Sequence, residues 1–186
     1  MNKNRIKEYA PKARRELIEA VAAKAQILGL SDKKIEPVEV KGDLAIIAGR
    51  PFPRQIAPLR RNLEQAVRRE GFDQLVERIA FTWFNRFTAL RYMELHGFLD
   101  HGYRVLSHPK GGNIPEILEH ATDLDLTGLD KAKVAELRLA GSKDNELYRL
   151  LLVAQCNALN TALPFLFERR RSPGDAGFCG AGRCPM

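Results

Sequence analysis

The chain has 186 residues, 45% of them hydrophobic and 28% charged, with a formal net charge of +7. That is apolar material for one core, so a single domain is the expectation. No apolar run reaches the roughly eighteen residues that a membrane-spanning helix needs, and the charged N-terminus is not followed by a hydrophobic stretch, which argues against a span or a secretory leader and for a cytoplasmic protein. The basic excess is concentrated at the start. Residues 1–70 carry 16 Lys/Arg against 9 Asp/Glu, residues 71–167 carry 10 against 12, and residues 168–186 carry 4 against 2.

In chain order, the first helix is predicted over Glu8–Leu28, with Pro11 tolerated in its first turn and Ala13, Leu17, Ala20, Val21, Lys24 and Leu28 as its inner stripe. Gly29 stops it. From Val38 to Ile47 the pattern switches to alternation around Lys41-Gly-Asp43, which predicts one small β-hairpin over about residues 37–48. Gly49-Arg-Pro-Phe-Pro53 reads as a rigid connector. An isolated hairpin is marginally stable, so this one must lie on the helices. A second helix follows over Ile56–Arg69, and Gly71 separates it from a third.

That third helix begins near Phe72, because Phe72, Leu75, Val76, Ile79, Trp83, Leu90 and Met93 recur at helical spacing. Phe84, Phe87 and Leu95 widen the apolar face until Asn85, Arg86, Arg91 and Glu94 remain as the positions suited to water. Residues 81–107 hold the only Trp, four of the nine Phe and two of the four Tyr, the aromatic density of a core. His96-Gly97 is a fitting C-terminal cap. A loop-rich stretch leads to a short helix over Pro115–His120 and another over Lys131–Ala140, with Asp130 as its N-cap. The last helix is predicted over Asn145–Phe167, its stripe formed by Leu147, Leu150, Leu151, Ala154, Ala158, Thr161, Leu163 and Phe165, with Cys156 a buried, reduced thiol.

The fold class is therefore mainly α, an irregular multi-helix domain over residues 1–168 with one small β-hairpin. Residues 169–186 change character: they are rich in Arg and Gly, aperiodic and nearly devoid of large apolar side chains, so disorder is expected. Arg, Gly, Ala, Pro and Cys are also what a GC-rich gene yields when read out of frame, which makes an aberrant ending the preferred explanation of this tail.

No chemistry-bearing constellation emerges from the residues alone. Cys179 and Cys184 lack third and fourth ligands. His96, His101 and His108 lack the companions of a zinc site, and Asp123–Asp130 lacks the alternating oxygens of a calcium loop. No catalytic, cofactor-binding or metal-ligating residue is assigned. The candidates for contact with DNA phosphates are Lys12, Arg14 and Arg15 on the first helix and Arg60, Arg61, Arg68 and Arg69 on the second, with Arg50 and Arg54 between them. Arg donates two parallel hydrogen bonds to phosphate, and clustered cations release counterions from duplex DNA. This reading requires the cations of the two helices to share one face; a solvated face is the plainer account.

Several stretches together carry a resemblance: Lys7-Glu-Tyr-Ala-Pro-Lys-Ala-Arg-Arg-Glu16, Pro37-Val-Glu-Val-Lys-Gly-Asp43, Thr82-Trp-Phe-Asn-Arg-Phe87 with Leu90-Arg-Tyr-Met-Glu94, and Cys156-Asn-Ala-Leu-Asn160 leading to Leu163-Pro-Phe-Leu-Phe167. In this order they resemble the N-terminal region of the PglX family, the adenine-specific DNA methyltransferases of the BREX phage-defence system. The resemblance covers about residues 1–168. It implies site-specific adenine-N6 methylation and S-adenosylmethionine as the cofactor of the full-length family, with a catalytic domain, duplex DNA and other BREX components as partners. The catalytic Asn/Asp-Pro-Pro-Tyr/Phe turn, which grips an extruded adenine, is not in this chain: none of its eight Asn is followed by Pro, and neither Asp-Pro nor Pro-Pro occurs. Gly111-Gly112 follows a loop-like Ser107-His-Pro-Lys110 rather than a strand. The expectation is a helical, inactive leader of such an enzyme; the alternatives are a stand-alone interaction module or a DNA-backbone-binding module.

Overall fold

The computed structural model describes residues 3–167, with side chains from Lys7 onward. Helix α1 runs Lys3–Ile27; strands β1 Val38–Lys41, β2 Leu44–Ile47 and β3 Arg50–Pro53 follow; then come α2 Ile56–Glu70, α3 Phe72–His96, α4 Glu116–Glu119, α5 Lys131–Leu139 and α6 Asp144–Leu159. The protein is mainly α, as the sequence predicts, with one small antiparallel sheet. It divides into two compact units, one extending to Phe84 and one beginning at Asn85, so the division falls inside α3.

The first unit is set by how α1 ends. Leu30 N–H donates to Ala25 O and Gly29 N–H to Gln26 O, both at 2.9 Å. These are the two bonds of a Schellman cap, with Gly29 in the left-handed conformation at φ 67°. A Cβ at Gly29 would also stand 2.8 Å from Glu36 Cβ, so both conformation and space require glycine. The helix begins earlier than expected, which places Pro11 in its interior rather than its first turn and forfeits one main-chain hydrogen bond there. Ala13, Val21, Ala25 and Leu28 face inward, whereas Ala20 and Lys24 of the anticipated stripe turn outward.

The expected hairpin is present and carries a third strand. β1 pairs with β2 (Val38 opposite Ile47, Lys41 opposite Leu44), and β2 with β3 (Leu44 opposite Pro53, Ile47 opposite Arg50). The segment read as a connector is β3. Pro51 and Pro53 are compatible with an edge strand because they are two residues apart and their missing donors fall on the same, unpaired side. Ala48 and Gly49 turn the chain with φ of 49° and 73°. Ala45 and Ile47 of β2 are fully buried, and the unit's core gathers Leu30, Ile47, Leu63, Val67, Leu75 and Ile79.

In the second unit, Leu90, Val105, Ile117, Leu137, Leu147 and Leu151 form the core, with the buried Cys156 and Phe167. Asp130 caps α5 as anticipated, accepting from Lys133 N–H at 3.0 Å. Gly97 ends α3 at φ 69°, with Phe98 N–H donating to Met93 O at 2.9 Å. Two expectations are corrected. α6 stops at Leu159 instead of reaching Phe167: the chain turns, Asn160 donates to Phe167 O, and Phe167 is buried while Phe165 is exposed. Pro164 bars a continuous helix to Phe167, since it has no N–H to donate and disfavours helical geometry at the residue before it. The second correction concerns α3. Arg86 and Glu94, assigned to water, are buried, whereas Phe81, Tyr92 and Leu95 are exposed. Glu94 accepts from Leu106 N–H at 2.7 Å, from Ser107 Oγ at 2.9 Å and from Arg91; Arg86 donates to Leu166 O at 2.9 Å. Both side chains hold non-helical segments in place and are satisfied by them. Among the described residues no helix is long and apolar enough to cross a membrane. The expected disorder of residues 169–186, with Cys179 and Cys184, lies outside the described residues.

Candidate functional site

The cations proposed for phosphate contact do not converge. On an α-helix each residue advances about 100°, so Lys12 and Arg14, two positions apart, project from nearly opposite sides of α1. Lys12 lies beside Glu16 at 3.8 Å, while Arg14 reaches Glu77 of α3 at 3.4 Å. Arg15 is exposed with no acidic partner among the described residues. On α2, Arg68 forks onto Glu64 (2.8 and 3.1 Å), and Arg69 lies 3.4 Å from Glu70. The Arg68 hydrogen bond, followed by the nearby charges of Arg60 and Arg68, holds the Glu64 carboxyl below the usual carboxylate range against the opposing effect of burial.

Arg60 does not present itself to a phosphate at all. It is fully buried, and its guanidinium donates to Leu28 O (2.5 Å), Gly29 O (3.2 Å) and Glu36 O (3.0 Å), with Glu64 at 3.3 Å. A cation is therefore set against the carbonyl end of α1, where the helix leaves acceptors unsatisfied and its dipole is negative. Burial lowers the pKa of this guanidinium and Glu64 opposes the shift. The sequence carried a sign of this role: Arg60 falls three residues from both Ala57 and Leu63, on the apolar stripe of α2.

Concavities occur among the described residues of the first unit. One, of about 640 Å³, is bordered by Asp43, Arg54, Gln55, Pro58 and Arg61. Arg61 has no acidic partner among the described residues, and the Arg54 guanidinium makes a long hydrogen bond, 3.5 Å, to Gly42 O. Another, of about 740 Å³, is a groove between α1 and the first half of α3, floored by Ala10, Pro11, Phe81 and Phe84 and edged by the Arg14–Glu77 pair and by Arg78. Phe81 is 61% exposed there. Arg78 is engaged bidentately by Glu70 at 2.8 and 3.0 Å, a bond that also lowers the Glu70 pKa.

In the second unit the rings of Tyr92, His96 and Phe98 cluster at 4.3–6.0 Å, with Tyr92 and Phe98 exposed. The other histidines organise loops. His101 Nδ1 accepts from Tyr103 N–H at 3.0 Å, so its Nε2 carries the proton and donates to Gln155 Oε1 at 2.8 Å. Tyr103 stacks on His120 at 3.9 Å. No group of three or more metal-ligating side chains occurs among the described residues.

No protein-family model matches the chain. Over 175 residues, 90% of its length, it is 45% identical to the adenine-specific methyltransferase BrxX of Escherichia coli O9:H4 (strain HS). Over 188 residues, 91% of its length, it is 33% identical to the adenine-specific methyltransferase PglX of Lacticaseibacillus casei (strain Zhang). The chain is a partial relative of the BrxX and PglX adenine-specific methyltransferases. It spans 14% of the length of the BrxX relative and 16% of the PglX relative. The described strands form an antiparallel meander, and Gly111 and Gly112 (φ 81° and 109°) lie in a loop that no described strand enters.

Proposed function

We propose that this chain is the N-terminal, helical and non-catalytic part of a BREX-type DNA adenine-N6 methyltransferase acting in phage defence in the cytoplasm, and that its role is to pack against the part that binds S-adenosylmethionine and DNA. The observation that carries this reading is the match to BrxX: nine-tenths of this chain aligns at 45% identity with only 14% of the relative. The absence of an Asn-Pro-Pro-Tyr-type turn from the sequence supports it, as do the large apolar side chains left exposed in both units, Phe81 in the first and Tyr92, Leu95 and Phe98 in the second. Other BREX components are candidate partners of the assembled enzyme.

The test is complementation in cells. A BrxX relative lacking the matching segment is expressed alone, this chain alone, and the two together, and N6-methyladenine in cellular DNA is quantified. Methylation only in the pair is the expected result. Full methylation by the shortened relative without this chain, or by this chain without it, would refute the reading.

A second reading, contact with a DNA phosphate, is favoured by one observation: Arg54 and Arg61 border the same concavity and neither forms a close ion pair with an acid among the described residues. It gives duplex binding that weakens steeply with salt and is reduced by Arg54→Ala with Arg61→Ala. Equal binding by that double variant would remove it.

A further inference from the structure

We infer that the groove between α1 and the first half of α3 is the seat of an apolar helix supplied by the remaining polypeptide of the BrxX and PglX proteins, with Phe81 as its anchor. This rests on the proposed packing role and names the surface that performs it.

The chemistry of the groove selects its occupant. Ala10 and Pro11 of α1 and Phe81 and Phe84 of α3 line it with carbon surface, and Gln74 and the ion-paired Arg14 and Arg78 share the lining. The arginines at its edges are already neutralised, Arg14 by Glu77 at 3.4 Å and Arg78 by Glu70 at 2.8 Å. A phosphate chain would meet an apolar floor and spent charges, whereas an apolar helix face would meet matching surface between polar rims that remain in water. Two roughly adjacent helices with an open seam, of about 740 Å³, are the geometry into which a third helix lays a row of side chains at i, i+3 and i+4. Phe81 is a large, rigid side chain held 61% exposed on a regular helix, the kind of residue that dominates binding energy once covered. The occupant comes from the same family polypeptide because this chain spans only 14% and 16% of its relatives, so most of each relative lies outside the region whose fold is described.

The experiment uses this chain at full length and the purified remainder of the BrxX relative, with affinity measured by calorimetry. Three variants are compared with the parent chain: Phe81→Glu, which puts a charge on the floor; Gln74→Trp, which fills the groove from its exposed rim; and Leu139→Glu, at an exposed apolar position on α5 outside the groove. Circular dichroism and thermal melting establish that each is folded. The expected result is a loss of affinity of about tenfold or more for Phe81→Glu and Gln74→Trp with Leu139→Glu unchanged. Binding by the parent chain that both groove variants retain would overturn this inference and leave the packing role standing. No binding by the parent chain would overturn the packing role and the inference together. Concentration-dependent self-association that Phe81→Glu abolishes, with no change in affinity for the remainder, would assign the groove to a second copy and overturn the inference.

Discussion

Replacing Arg60 by Met keeps much of the side chain's length and apolar bulk while removing the buried guanidinium. Three main-chain carbonyls lose a charged donor: Leu28 O, Gly29 O and Glu36 O. Gly29 O is not orphaned, because Glu36 N–H also donates to it at 2.8 Å. The loss therefore concentrates on Leu28 O and Glu36 O. A hydrogen bond from a charged donor contributes about 1.5–3 kcal/mol, and two such losses, partly offset by no longer desolvating a cation, give a destabilisation of roughly 3–5 kcal/mol. In a chain of this length 1 kcal/mol corresponds to about 2–4 °C, so Tm falls by roughly 6–20 °C. Trp83, the only Trp of the chain, packs against the core cluster of the first unit, so its fluorescence follows the unit in which Arg60 lies. Arg60→Lys, which keeps the charge and loses the fork, falls between the two. A Met variant within about 0.5 kcal/mol of the parent in urea unfolding would refute the assignment of Arg60 as the clamp on the end of α1.

Gly29→Ala combines a left-handed φ with a Cβ that would stand 2.8 Å from Glu36 Cβ; a cost of at least about 2 kcal/mol is expected in urea unfolding, and a neutral substitution would contradict the cap geometry. Glu94→Gln leaves Leu106 N–H, Ser107 Oγ and Arg91 sharing one acceptor oxygen instead of two, and loses about 2 kcal/mol or more of stability by thermal melting. Stability also depends on acid. Glu64 and Glu70 are both held below the usual carboxylate range by arginine hydrogen bonds, so in the unfolded chain they take up protons at a higher pH than in the folded one. Their contribution is complete above the unfolded value of about 4.3 and is lost as pH falls through the depressed folded values. The double variant Glu64→Gln, Glu70→Gln should be weaker at pH 7 and flatter in stability between about pH 5 and pH 3; an unchanged acid profile would count against these pairs.

What could be read from the sequence was local. Gly29, Gly71 and Gly97 end helices and Asp130 starts one because a cap is decided within a few residues, and the stripes of α2 and α3 show their period within one element. The third strand was hidden by its chemistry: Ala48 takes a positive φ that Asn or Gly would have advertised, and two prolines in four residues read as a connector. Arg86 and Glu94 were misplaced because polarity pointed them to water, while their partners stand elsewhere in the chain, Leu166 O 80 residues from Arg86 and Leu106 N–H 12 residues from Glu94. Periodicity within a helix carries no information about such partners. The same limit scattered the candidate phosphate contacts. A run such as Lys12, Arg14 and Arg15 looks like one patch in text, but the helical turn distributes it over separate faces, and only a stripe-aware reading removes Arg60 from the surface.

β3 also bears on how this sheet avoids taking on strands from other chains. A sheet with bare edges is a template on which other chains add strands until they form a fibre. Here the outer side of β3 is blunted by Pro51 and Pro53, which offer no donors to an incoming strand. The opposite margin, β1, carries Glu39 and Lys41 as exposed charges joined at 3.3 Å. The sheet is therefore terminated on both sides by its own residues, and aggregation, where it occurs, is expected to start from exposed aromatic surface rather than from strand addition.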